Sequence, residues 1–262
     1  MTLAAADSKQ ARISFEIKDA IAHITLRNPP VNVIDLPMMD ALGPVLAEIE
    51  SQSQVTAVIV RGEGKAFSAG VDIAAQTPDK VGEMLAKFHA LVRALVAMRK
   101  VTVAAVHGLC LGGGAELAMV CDLVYTSEEA EWGFPEIKLG CFPPVACTAL
   151  AALVGQKKAA ELILTGRSVT GREAGEIGLA AHSVPDSLLD SGVQACVAQL
   201  LRLSPAALSV AKKASYAWYA MHFDKGLARA EKIYLEELIK TQDAQEGIRA
   251  FLEKRPPKWS GR

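Results

Sequence analysis

The chain has 262 residues, with 28 lysines and arginines against 29 aspartates and glutamates and a formal net charge of −1. Hydrophobic residues make up 51% of it, enough to bury one large core, which excludes a disordered chain. The even charge balance excludes a protein that grips a phosphate backbone with a concentrated basic face.

The N-terminus, MTLAAADSKQAR, lacks a basic segment followed by an apolar run, so no secretory signal is expected. ISFEIK and IAHITLR alternate apolar and polar residues about Lys18-Asp19-Ala20, the pattern of a hairpin with half-buried strands. The prolines of NPPVNVIDLP exclude regular structure there. From Met38 to Ile49 the spacing turns helical, with Leu42, Leu46 and Ile49 on one face. VTAVIVRG is a β-branched run that fits a strand buried on both faces, and the Gly-rich loop GEGKAFSAGVD follows it. A second amphipathic helix fits Val81 to Arg99. Then come a second buried strand, VTVAAVHG, a second Gly-rich loop, LGGGAE, and a third core strand, CDLVYTS. The apolar run Val101 to Val106 falls well short of the ~20 residues a membrane helix needs. After Phe142-Pro143-Pro144, from about Val145, almost every segment reads as helical, and Thr170 through Glu173 has the form of a capping box. The basic, Pro-rich tail EKRPPKWSGR reads as a surface segment or contact arm.

Cys110, Cys121, Cys141, Cys147 and Cys196 are odd in number and contain no CxxC pair. They read as small buried hydrophobes of a reducing compartment rather than as a disulfide framework or a zinc cage. A cytoplasmic location is expected, with no metal and no membrane or nucleic-acid partner.

The two Gly-rich loops share a design: each follows a buried strand and leads toward a helix. Small residues let a ligand approach the backbone, and first-turn N–H groups of a helix lack internal partners. Two such groups aimed at one oxygen would make an oxyanion hole, although the glycines also suit nothing more than tight turns. Neither loop has the spacing of a phosphate or dinucleotide fingerprint. Glu116 follows the second loop where a helix begins, so the helix dipole should let it ionise readily. Glu136, in EWGFPEIKLG, sits among prolines and apolar flanks that would raise its pKa by burial. An ionised and a protonated carboxyl at one site can supply a base and an acid, but sequence spacing does not show that these two converge.

The runs GEGKAFSAGVDI and GLCLGGGAELAMVCDLVYTSEEAEWGFPEIKLG, together with FLEKRPPKW, resemble the enoyl-CoA hydratase/isomerase (crotonase) superfamily over nearly the whole chain. The resemblance implies an α/β fold, a crotonase-like spiral of ββα units over residues 1–200. It implies a helical C-terminal trimerisation region over 201–262, the trimers commonly pairing into hexamers. It implies an oxyanion hole from the backbone N–H groups of Val71 and Gly113, with Glu116 and Glu136 as the two catalytic carboxyls. Backbone at Ala66, Ser68 and Ala69 would contact the CoA adenine and pantetheine, and Asp72, Ile73, Gly112 and Phe142 belong to the same substrate-binding set. No cofactor is implied, coenzyme A being part of the acyl-CoA substrate. The implied reaction is syn addition of water across an α,β-unsaturated thioester. The two titrations would be coupled.

Keeping both glutamates favours hydration over isomerisation, since in double-bond-shifting relatives the carboxylate matching Glu136 generally suffices. The alternatives are a Δ3–Δ2 enoyl-CoA isomerase and a non-catalytic CoA-ester-binding relative. After PExxLG most hydratases continue with a glycine-rich PGxGGTQRL stretch, whereas this chain reads CFPPVACTALAALVG, so a reshaped acyl pocket is expected beside Glu136. This variant and PPVNVID look like the cyclic dienoyl-CoA hydratases, whose substrate is the ring cyclohexa-1,5-diene-1-carbonyl-CoA.

Other candidates are weaker. His107 reads as a buried strand-end histidine, and Asp72 and Asp122 also read as capping or pairing residues. Ser68 has no nucleophile elbow. Trp218, Tyr219 and Tyr234 read as packing or subunit contacts, and Lys254, Arg255 and Arg27 either reach a CoA phosphate or are solvated.

Overall fold

Alternating residues on either side of Lys18-Asp19-Ala20 fold as the expected hairpin in the computed structural model, which describes residues 11–262. Residues 1–10, on which the reading of the N-terminus mostly rests, lie outside the described residues. β1 (Ile13–Lys18) and β2 (Ile21–Leu26) pair antiparallel, with Asp19 and Ala20 at positive φ in the two-residue turn. The chain then passes to α1 (Leu36–Ser51), which Asp35 caps by accepting the Met38 N–H.

From there a unit of long strand, short strand and helix recurs. It is seen as β3 (Ala57–Gly62), β4 (Ala66–Ser68) and α2 (Val81–Ala97), and again as β5 (Val101–Val106), β6 (Leu109–Leu111) and α3 (Gly113–Met119). A third unit comprises β7 (Leu123–Ser127), β8 (Glu131–Gly133) and α4 (Pro144–Val154). The long strands and the short edge strand β10 (His182–Val184) form one six-stranded sheet in the order β1-β2-β3-β5-β7-β10, and the other short strands form a second, β4-β6-β8-β9, with β9 at Ser168–Thr170. The chain thus winds as a spiral of ββα units, as expected. The remaining elements are α5 (Gln156–Thr165), β9 (Ser168–Thr170), α6 (Gly171–Glu176), β10 (His182–Val184), α7 (Leu189–Leu200), α8 (Pro205–Ser215), α9 (Ala217–Glu236) and α10 (Gln242–Leu252).

The β-branched runs are explained by burial on both faces of the large sheet. Val58, Val60, Ala104 and Val106 enter the main core, while Ala57, Ile59, Val103 and Ala105 pack under Leu189, Val193 and Val197 of α7. The helices after residue 200 share the main core: Phe223, Leu227, Tyr234 and Ile248 are buried in it.

Three expectations need correction. The back of the chain is not uninterrupted helix, because β9 and β10 add edge strands to the two sheets. The capping box is half formed: Thr170 Oγ1 accepts the Glu173 N–H at 3.1 Å, but the Glu173 carboxylate pairs with Arg167 at 2.7 Å. Four cysteines are buried, whereas Cys147 is exposed on the outer face of α4, the inner face being filled by Val145, Ala146, Ala149 and Leu150. Among the described residues no single helix is long and apolar enough to cross a membrane.

One ion pair fastens α8 to the strands that carry the Gly-rich loops. Lys212 Nζ lies 2.7 Å from Asp122 Oδ2 and donates to Lys100 O at 2.9 Å, with both side chains largely buried. The same Asp122 oxygen accepts the Thr102 N–H at 2.7 Å and its hydroxyl at 2.9 Å. Asp122 is therefore a pairing residue, as its sequence position suggested. Removing one partner strands a buried charge, so Lys212→Met should cost about 3 kcal/mol and lower Tm by roughly 6–12 °C in a thermal melt.

Candidate active site

The two Gly-rich loops meet. The first runs from β4 into a 3₁₀ turn, Ile73–Gln76, rather than into a long helix, and Asp72 caps that turn by accepting the Ala74 N–H. The second runs from β6 straight into α3. A Cβ built on Gly113 would lie 3.3 Å from Val71 N and 2.5 Å from Val71 Cγ2, so only glycine permits this approach. The neighbouring hydrogen bonds pass both N–H groups by. Ile34 N–H goes to Gly70 O, Asp72 N–H to Ile34 O, Gly112 N–H to Gly133 O and Glu116 N–H to Gly112 O. Val71 and Gly113 both line one cavity of about 70 Å³, roughly the space two waters take in the liquid.

Glu116 and Glu136 line the same cavity. Glu116 lies in the first turn of α3 and is buried, its Oε1 accepting the Ala146 N–H at 2.9 Å. Pro144 opens α4 as its first residue, which leaves the next N–H groups, of Val145 and Ala146, free to hold this carboxyl. Glu136 sits in the 3₁₀ turn Pro135–Leu139, closed by Gly140 in the left-handed region. Its Oε1 lies only 2.6 Å from the Cβ that Gly112 lacks, and Gly112 also has φ +50, so no side chain fits there.

Burial raises both carboxyls. Glu116 is pushed up from its ordinary 4.5 to about 7, against the opposing pull of the Ala146 and Val145 N–H groups. The helix dipole does not keep it readily ionised, contrary to the sequence expectation, because desolvation outweighs it. Glu136 is pushed up to about 8, by burial first and by the neighbouring Glu116 charge second. Its Oε2 is buried without a hydrogen-bond partner. The site therefore brings two carboxyls of unlike environment to one cavity with the backbone of Val71 and Gly113.

The rest of the wall comes from both ends of the chain. Ala69, Ile73, Gly112 and Phe142 line the cavity, with Pro143 and Pro144 of the CFPPVA stretch beside them. Ala66 and Ser68 are buried away from it. The Ser68 hydroxyl donates to Asn32 O at 2.7 Å and accepts the Gly70 N–H at 3.1 Å, which shapes the loop. His107 is half-buried, with Nε2 3.0 Å from Gly64 O. Arg27 pairs with Glu63, and Arg255 is held by Glu246 at 2.6 Å. Lys254 is exposed.

Sequence reasoning missed three polar wall residues. Tyr234 on α9 is buried in the wall and lies 3.4 Å from Gln76 Oε1, its ring edge-on to Phe142 with centroids 5.1 Å apart. His89 is buried on α2. Its signal was present: a histidine inside the apolar stripe Leu85, Phe88, Val92.

Among known proteins, a family profile described as enoyl-CoA hydratase/isomerase matches residues 16–262. A cyclohexa-1,5-dienecarbonyl-CoA hydratase of Thauera aromatica is 34% identical over 259 residues, covering 97% of this chain and 98% of that one. A probable enoyl-CoA hydratase of Bacillus subtilis is 34% identical over 255 residues, covering 95% and 98%. Of solved structures, an enoyl-CoA hydratase from Mycobacterium avium subsp. paratuberculosis K-10 superposes with a TM-score of 0.86 at 27% identity, covering 95% of this chain and 99% of that one. An enoyl-CoA hydratase/isomerase from Xanthobacter autotrophicus Py2 gives 0.83 at 32%, covering 93% and 97%. The spiral is thus the crotonase fold.

The coupling of the two carboxyls is measurable without any substrate. The Glu116 charge is the second cause of the upward shift at Glu136, so Glu116→Gln should move Glu136 back down, though burial keeps it above 4.5. Carboxyl carbon NMR across a pH titration reads this shift; an unmoved Glu136 would mean that the two charges do not sense each other.

Proposed function

The chain belongs to the enoyl-CoA hydratase/isomerase family, and from that premise we propose that it adds water across the α,β double bond of an enoyl-CoA thioester. The observation that supports this most is the meeting of two buried carboxyls with the Val71 and Gly113 N–H groups at one cavity. The thioester oxygen would lie between those N–H groups, which carry the enolate charge as it develops. Glu116 is the base: backbone N–H groups at Ala146 and Val145 favour its ionised form. Glu136 is the acid: its Oε2 has no donor, and the Glu116 charge holds its proton on. A water between them loses a proton to Glu116 as its oxygen bonds to the β-carbon, and Glu136 delivers a proton to the α-carbon. Both carboxyls act from one cavity, so the addition is syn. The cycle closes when the proton gained by Glu116 is passed back to Glu136.

Ala69 and Ile73, which line the cavity, would face the CoA portion, whereas Ala66 and Ser68 are fully buried and shape the loop from behind. The narrow cavity and its Phe142-Pro143-Pro144 wall favour a short or ring-shaped acyl group, which includes the cyclic dienoyl class named for the Thauera relative. The exposed apolar residues Leu203, Val210 and Met221 near and within the C-terminal helices support assembly as a homotrimer or a pair of trimers.

Glu116→Gln and Glu136→Gln should each lower turnover at least about 10²-fold in a spectrophotometric hydration assay over linear and cyclic enoyl-CoAs, the product gaining the mass of one water. Near-wild-type hydration in both variants would remove this mechanism, and a double-bond shift without mass gain would assign isomerisation instead. The pH dependence follows from the same pair. Below its lower titration both carboxyls are protonated and no base remains; above its upper one both are ionised and no acid remains. Turnover should therefore be bell-shaped, with its maximum between about pH 7 and 8.

A further inference from the structure

Four buried side-chain polar atoms lack a hydrogen-bond partner among the described residues, and two of them belong to residues of the one cavity: Glu136 Oε2 and His89 Nε2. The first is used in the reaction proposed above. The second is not. His89 is fully buried, and its other nitrogen, Nδ1, lies 2.7 Å from Glu231 Oε1 on α9. Arg93 Nη2 donates to that same oxygen at 3.0 Å, and its Nε lies 3.5 Å from Asp224. Glu231 Oε1 already accepts from Arg93 and acts as acceptor here, so Nδ1 is the donating nitrogen. Burial lowers the pKa of the imidazole, Glu231 opposing, so the ring is neutral and Nε2 is left with a bare lone pair. With Nδ1 tied to α9, Nε2 is the unpartnered nitrogen of a residue that lines the cavity, and Met84, Leu85 and Phe88 of the same helix line it beside His89 without offering a donor.

A lone acceptor in an apolar wall penalises any ligand that buries it without a donor. We propose that His89 is a specificity residue whose Nε2 accepts a hydrogen bond from a hydroxyl on the acyl group, beyond the β-carbon, so that the preferred substrate is a short, hydroxylated acyl thioester. This rests on the hydratase reading for the reaction, and it adds the chemical class of the acyl group. The Arg93–Glu231 pair acts behind it as a positioning element that fixes the tautomer.

The test pairs short enoyl-CoA thioesters bearing a terminal hydroxyl, in a homologous series, with their unsubstituted parents. Wild type should favour the hydroxylated member of at least one pair by about tenfold in kcat/KM, chiefly through KM, the scale of one hydrogen bond to a buried acceptor. In His89→Leu that preference should vanish, and His89→Gln, which restores an acceptor, should recover part of it. Calorimetric binding of the corresponding saturated hydroxyacyl- and acyl-CoAs to the wild-type protein gives a readout independent of turnover. No preference at any length in either measurement, or a preference that survives in His89→Leu, would overturn the proposal. A binding preference lost in His89→Leu, with no thioester hydrated, would uphold the role of His89 and remove the hydratase reading instead.

Discussion

Two carboxyl groups withdrawn from water into one cavity set the terms for much of the surrounding chain. A buried, isolated carboxylate is strongly disfavoured unless donors replace the lost water. Here the replacement is uneven. The start of α4 brings the Ala146 and Val145 N–H groups to Glu116, whereas Glu136 sets Oε1 against Gly112 and leaves Oε2 without a donor. That asymmetry gives the two carboxyls unlike environments, and the Glu116 charge adds to the upward shift at Glu136. It also explains residues that would otherwise look like loop filler. Gly112 leaves room for a carboxyl, Gly113 lets two loops touch, and Pro144 starts a helix at the point where its free N–H groups are needed.

Much of the fold was legible because long strands carry strong patterns. The hairpin alternates, and β3 and β5 are unbroken β-branched runs because α7 covers the face turned away from the main core. The second sheet was not legible: β4, β6, β8 and β9 have three residues each, too few for alternation to register. The approach to the site shows the same division. Glu116 and Glu136 stood out by position, but the N–H groups that hold Glu116 come from α4, and that role depends on a tertiary contact. The misjudged ionisation of Glu116 has the same origin, since a dipole is a local property and desolvation is not.

The wall residues that escaped notice, Gln76, His89 and Tyr234, are linked through one face of α9. Leu227, Glu231 and Tyr234 follow at helical spacing: the first fills the core, the second holds His89, and the third reaches the cavity. A helix that reads as packing can therefore also set the acceptor pattern of a pocket whose reactive groups lie far away in sequence. The boundary between spiral and C-terminal helices is one of chain topology, and the apolar core runs through it.

The origin of Tyr234 in α9 also has a temporal side. About a hundred residues separate Glu136 from Tyr234 along the chain, which takes on the order of 5–20 s to synthesise. Throughout that interval the Tyr234 part of the pocket wall is missing, so the cavity that holds both carboxyls is completed by a segment made well after either of them.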